Sequence, residues 1–181
     1  MKTRFFTVLA YSLFLLAGCT DNLGHEFSHL RAFLRISPVT ALTPLHQALN
    51  NSGVYCTITY TSSAYIATRP DGTTAPPLPR TAMDAYGRPQ CVEGFIIGTP
   101  SVPNTAGQFF QVCYDLVCPS CLDLDAVQRR LTFGEDETMR CPRCQRSYSL
   151  RNKGIPLEGE NASRLKQYRM TYSGDVLIVN N

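Results

Sequence analysis

The stretch CPSCLDLDAVQRRLTFGEDETMRCPRC, Cys118 to Cys144, holds two Cys-x-x-Cys pairs with nineteen residues between them. A Cys-x-x-Cys knuckle turns the backbone sharply enough to aim two sulfurs at one point, and two knuckles complete a tetrahedron of thiolates. Pro119 and Pro142 stiffen the entry to each pair. The spacing lies inside the zinc window of two, about fifteen to twenty, and two residues. Cys118, Cys121, Cys141 and Cys144 are therefore the candidate ligands of one metal centre, with disulfides among the same four, or free thiols, as the alternatives.

The rest of the chain reads as all-β. VYCTITY and AYIAT carry the β-branched and aromatic residues of strands, with Thr61-Ser62-Ser63 as the break between them. CVEGFIIG is a continuous apolar run fit for a buried strand, QFFQVCYDLV leads directly into the first Cys pair, and SYSL follows the second. SHLRAFLRI suggests a first strand, and TPLHQALNN a short helical turn begun by Pro44. RPDGTTAPPLPR is too rich in proline for a sheet interior and is expected as a surface loop. RLKQYRMTYSGDVLIVNN predicts a closing hairpin turning at Ser173-Gly174-Asp175. DLDAVQRRL is the other stretch with helical periodicity. At 181 residues and 44% hydrophobic content, the chain can bury one compact core but not two large ones.

MKTRFFTVLAYSLFLLAGC has a short basic start, an apolar run too short to span a bilayer and a small-residue exit, as an export signal does. Leu16-Ala17-Gly18-Cys19 resembles the bacterial lipobox. That resemblance implies a signal over 1–18, lipidation of Cys19, a tether over 19–30 and a domain over 31–181. It also implies a membrane partner reached through acyl chains, and Thr20 after the Cys favours delivery to the outer membrane of a bacterial envelope. Met1-Lys2-Thr3-Arg4 lacks the twin arginine of the folded-export route, so the chain is expected to cross unfolded and to acquire a metal afterwards.

The formal charge of +3 falls to about +1 once Lys2 and Arg4 leave with the signal, which speaks against a nucleic-acid partner. Arg140, Arg143, Arg146, Arg151 and Lys153 read as a solvated rim that helps to hold thiolates ionised, rather than as a docking patch. Of the remaining cysteines, Cys56 and Cys91 leave a disulfide open as one alternative in an oxidising compartment, while Cys113, inside FFQVCYDL, reads as a small buried hydrophobe. His25, His29 and His46 belong to the N-terminal third and are expected on the surface. Asp115, Asp123 and Asp125 flank the first knuckle and are expected in turns and loops rather than as catalytic acids.

CPRCQRSYSLRNKG with PLEG, then RLKQYRMTYSGDVLIVNN, resembles the second half of a Rieske domain, and QFFQVCYDLVCP resembles the strand that delivers its first loop. The likeness runs from about Cys91 to Asn181. It implies a small β-sandwich or barrel carrying a rubredoxin- or zinc-ribbon-like metal-binding subdomain. The histidine-ligated cluster is excluded by residue type: Ser120 and Cys144 stand at the histidine positions, and Gln145 replaces the glycine that usually follows. Four thiolates suit zinc, one iron in a rubredoxin-like centre, or a two-iron two-sulfur cluster. Metal acquisition after export puts zinc first and the iron–sulfur cluster second.

Three functions follow: a structural zinc or binding module, an iron–sulfur electron carrier, and a thiol redox protein. The last ranks below the others, because its reactive thiol normally opens a helix in a βαβ setting, a pattern not legible here. Zinc held by four cysteines has no open position for water, so no catalytic residues and no enzyme activity are expected.

Overall fold

The computed structural model describes residues 27–82, 87–159 and 162–181. The expected signal over 1–18, Cys19, His25 and the start of the expected tether lie outside the described residues.

The chain enters through β1 (Phe33–Ile36), whose residues alternate between partly and fully buried. A short 3-10 turn at Val39–Ala41 leads into α1 (Thr43–Asn50), where Pro44 sits in the first turn and Pro44, Leu45, Ala48 and Leu49 form the buried face. VYCTITY and AYIAT become β2 (Val54–Tyr60) and β3 (Ala64–Thr68). At their break, Thr61 Oγ1 accepts from the amides of Ser63 and Ala64. The proline-rich segment is not wholly loop: Leu78–Pro79 forms a two-residue strand, β4, paired with Tyr65 and Ala64 of β3. It ends the sheet, the place where a residue without an N–H leaves no ladder bond unmade.

The buried run becomes β5 (Phe95–Thr99), followed by β6 (Val112–Asp115). The closing hairpin is β11 (Gln167–Ser173) and β12 (Val176–Asn180), with Ser173 opposite Val176. Both turn residues are left-handed, Gly174 at φ 57° and Asp175 at φ 65°, as a two-residue turn between twisted strands requires. Asp175 also accepts from the Thr40 amide at 2.9 Å and hydroxyl at 2.8 Å, fastening the hairpin to the 3-10 turn.

The large sheet runs β1-β12-β11-β6-β5-β2-β3-β4, every named pair antiparallel. Between β6 and β11 the chain builds α2 (Pro119–Asp125), β7 (Thr132–Phe133), β8 (Thr138–Arg140), β9 (Ser147–Ser149) and β10 (Ile155–Pro156), the four strands forming a second sheet in the order β10-β9-β8-β7. The fold is thus all-β with two short α-helices among the described residues.

The central strands of the large sheet are buried on both faces, which explains the unbroken apolar runs. In β5, Phe95 and Ile97 join a core roofed by α1, while Ile96 faces the opposite core. In β6, Cys113 lies on the α1 side, and Val112 and Tyr114 face away. The α1-side core gathers Leu34, Ile36, Leu45, Leu49, Ile58, Tyr168, Leu177 and Val179. Each such side chain contributes roughly 1.5–3 kcal/mol by leaving water. Gly98 is required by close approach: a Cβ there would lie 2.2 Å from the Tyr55 ring and 2.5 Å from the Val54 carbonyl.

The seven described cysteines are all free, so Cys56 and Cys91 are not bridged. Cys56 is fully buried in β2, and Cys91 Sγ lies 3.7 Å from the Tyr60 hydroxyl instead. Cys113 is fully buried, as expected.

Candidate metal centre

Three residues beyond β6 the chain reaches Cys118, whose backbone is extended and which caps α2. Pro119 sets the first helical residue, and the helix brings Cys121 round onto the same side one turn later. The helix then ends at Ala126, left-handed at φ 54°, whose amide reaches the Cys121 and Leu122 carbonyls. The helical stretch therefore lies earlier than DLDAVQRRL suggests. Residues after Ala126 run back along the segment that carries the first cysteine, with Cys118 N–H donating to Arg129 O at 2.7 Å and Leu131 N–H to Leu116 O at 2.8 Å. Backbone pairing with this segment outweighs the helical preference of Gln128 to Leu131.

The second pair occupies the turn between β8 and β9. Cys141 N–H donates to Arg146 O at 2.9 Å and Gln145 N–H to Cys141 O at 3.0 Å. Gln145 stands in the left-handed region at φ 62°, the conformation for which a glycine is the usual solution. Its side-chain amide donates to Pro142 O at 2.7 Å, a local bond that offsets part of the strain.

The two pairs meet. The four sulfurs of Cys118, Cys121, Cys141 and Cys144 lie within 4.8 Å of one another. Cys118 Sγ is 3.6 Å from Cys144 Sγ, and Cys121 Sγ is 3.7 Å from Cys141 Sγ, so the shortest contacts cross from one knuckle to the other. These are non-bonded distances, well beyond the roughly 2.05 Å of a disulfide. Cys118, Cys121 and Cys141 are buried, and Cys144 is half-buried. One pair thus sits at a strand–helix junction and the other at a hairpin turn.

The electrostatics of the cluster call for a cation. Burial pushes the Cys118 thiol up, although the Tyr148 hydroxyl and the Cys121 amide partly oppose it. Burial together with the three neighbouring thiols pushes Cys121 up as well. At Cys141, burial is outweighed by the Cys144 and Arg143 amides, which hold this thiol below the ordinary range. Four sulfurs this close cannot all ionise unless positive charge is placed among them. A soft, tetrahedral divalent ion meets that requirement, and the donor set fits it.

Around the sulfurs the packing is apolar and aromatic: Tyr55, Ile96, Tyr114, Leu116, Met139 and Leu150 share their core. Tyr148 places its hydroxyl 3.4 Å from Cys118 Sγ and donates to Ser120 Oγ at 2.8 Å. Cys118 stands at a helix start, as reactive thiols often do. Its neighbouring strands are antiparallel, however, and the second pair closes over it.

The flanking carboxylates separate into three environments. Asp115 is not in a turn; it ends β6 fully buried, accepting from the amides of Val92 at 2.8 Å, Glu93 at 3.2 Å and Val117 at 2.8 Å and from the Tyr168 hydroxyl at 2.7 Å. Burial raises its pKa, against the pull of those donors. The sequence carries no local sign of this role, since the donors come from three separate segments. Asp123 and Asp125 lie on α2, paired with Lys166 at 2.7 Å and Arg143 at 3.5 Å. Arg151 of the basic rim pairs with Glu137 at 3.4 Å. His29 is exposed and His46 half-buried on α1, on segments that contribute nothing to the sulfur cluster.

No protein-family model matches this chain, and no curated protein sequence matches it.

Proposed function

We propose that the chain is a lipid-anchored, Rieske-like protein of a bacterial envelope, attached to the outer membrane through Cys19, in which four cysteines hold one structural zinc ion. The observation that carries the metal assignment is the enclosure of four sulfurs within 4.8 Å. With a Zn–S bond of about 2.3 Å, a regular tetrahedron has sulfur–sulfur edges of about 3.8 Å. The cross-knuckle contacts of 3.6 and 3.7 Å accord with that size. A two-iron cluster divides its ligands between two metal atoms and favours a wider separation of the pairs. The ion joins α2 to the β8–β9 turn, and its function is to hold a binding domain in shape rather than to turn over a substrate.

An iron–sulfur electron carrier is the second reading, and the half-buried Cys144 favours it, because solvent exposure at a ligand sulfur adjusts a cluster's potential. Half-buried Cys144 would bring such a cluster close to the surface.

Elemental analysis and a visible spectrum of protein purified from its native envelope test both. Colourless protein with one zinc per chain is the expected result. Absorption bands that bleach on reduction, with two irons and two sulfides per chain, would replace the first reading by the second. Metal-free protein would end both.

A further inference from the structure

The β1 edge of the large sheet carries a second constellation. Arg31 and Arg35 flank Phe33 at alternate positions, so all three lie on the outer face of β1 while Ala32, Leu34 and Ile36 turn into the core. Gln90 pairs with Phe33 through two main-chain bonds, Phe33 N–H to Gln90 O at 2.9 Å and Gln90 N–H to Phe33 O at 2.8 Å. That pairing brings Arg88 alongside. The result is an open groove of about 790 Å³ containing Arg31, Arg35 and Arg88 with the Gln90 and Asn180 side chains.

Its charge is uncompensated among the described residues. Among the described residues, none of the three guanidinium groups has an ion-pair or hydrogen-bond partner, whereas Arg130, Arg143 and Arg151 are each paired with a carboxylate. Among the described residues, no side-chain carboxylate lines the groove. Guanidinium forks of this kind match phosphate oxygens.

The groove also lies where the tether arrives. Asn181, on its wall, donates through its side chain to the Ser28 and Leu30 carbonyls, and Arg169 stacks on the Phe27 ring at 4.9 Å. Phe27 is the eighth residue after Cys19, so a lipid on Cys19 is at most about 29 Å of extended chain away.

We propose that this groove docks on the phosphate groups of anionic phospholipids in the membrane that holds the anchor. The proposal rests on the anchor reading, not on the metal. A basic patch at the surface adds an electrostatic signal to that of the acyl anchor. Three arginines within a Debye length of an anionic surface strengthen attachment on the order of a hundredfold, an effect that salt removes. The geometry sets the domain's orientation as well: the β1 edge faces the bilayer.

The test is chemical labelling of arginine by a dicarbonyl reagent, read by mass spectrometry, on the full chain as purified and held in phospholipid nanodiscs. Arg140 and Arg146 serve as internal controls. The expected result is labelling of Arg31, Arg35 and Arg88 at least about tenfold slower in phosphatidylglycerol-containing discs than in pure phosphatidylcholine discs, with protection lost in high salt. Equal rates in the two discs would overturn the proposal. So would equal protection of detergent-held protein by millimolar glycerol phosphate, which would make the groove a soluble-ligand site. The intact mass of the same sample reads the anchor separately. Acylated Cys19 with unprotected arginines refutes the groove alone, and protected arginines without acyl mass support it while refuting the anchor.

Discussion

The two faces of the large sheet are held by different physics. On the α1 face, Leu45, Ala48 and Leu49 pack over β2, β3 and β5 in a core that side chains of β11 and β12 extend, and stability comes from apolar area removed from water. On the other face, the strands of the second sheet are two or three residues long, too short to bury a core of their own. Four cysteines stand there where a larger protein would place leucines, and Leu116, Leu131 and Leu150 pack round them. One face needs only its sequence. The other carries four cysteines that could hold a ligand, as small metal-stapled folds do.

The largest expected effect distinguishes the faces by metal. Cys118→Ser removes a ligand from a closed site, and a small zinc site contributes on the order of 10 kcal/mol to folding. Hydrogen exchange should then become fast over residues 118–150 while β2 and β5 stay protected. Cys56→Ser, a buried thiol with no metal role, should cost only about 1–3 kcal/mol. Equal melting temperatures for the two variants would break the comparison.

Next in size is a cavity in the apolar face. Leu45→Ala, at a fully buried position on α1, should cost about 2–5 kcal/mol in denaturant unfolding. Metal content should be unchanged. Loss of metal in this variant would show that the faces fold as one unit.

The smallest effect concerns Glu137, which ties the second sheet to the first by accepting from the Tyr55 hydroxyl at 3.2 Å and the Ser101 amide at 3.1 Å. Burial opposes its ionisation, but the Ser101 and Tyr55 hydrogen bonds and Arg151 outweigh it and hold the carboxyl below the usual range. Because the folded pKa is depressed, the stabilisation is fully present above the unfolded value of about 4.3 and is lost as pH falls through the folded value. Glu137→Gln should lower the melting temperature at pH 7 and flatten its decline on acidification. Parallel curves for variant and parent would remove Glu137 from the joint.

What the sequence reveals follows the range of the forces. β2 and β3 are legible to the residue because a period of two is local, and the knuckles are legible because each cysteine pair is four residues long. The first knuckle's helix is less so, since Pro119 and the left-handed Ala126 fix its ends more firmly than apolar periodicity does. Asp115 reads as a turn residue until the Val92, Glu93 and Tyr168 donors arrive from distant segments. Charge runs mislead in the same way: Arg140 to Lys153 is dense along the chain but partly neutralised, whereas Arg31 and Arg88 are far apart in sequence and share one groove.

The place of β12 between β1 and β11 has a consequence for timing. Phe33 pairs with Asn180, so the first strand has no permanent neighbour on that side until the last one exists, and closing so long a loop is slow. The second sheet, by contrast, is drawn from one continuous stretch, with Cys118 and Cys144 close enough in the chain to find each other early. Assembly should therefore begin with the second sheet and finish by pairing β1 with β12.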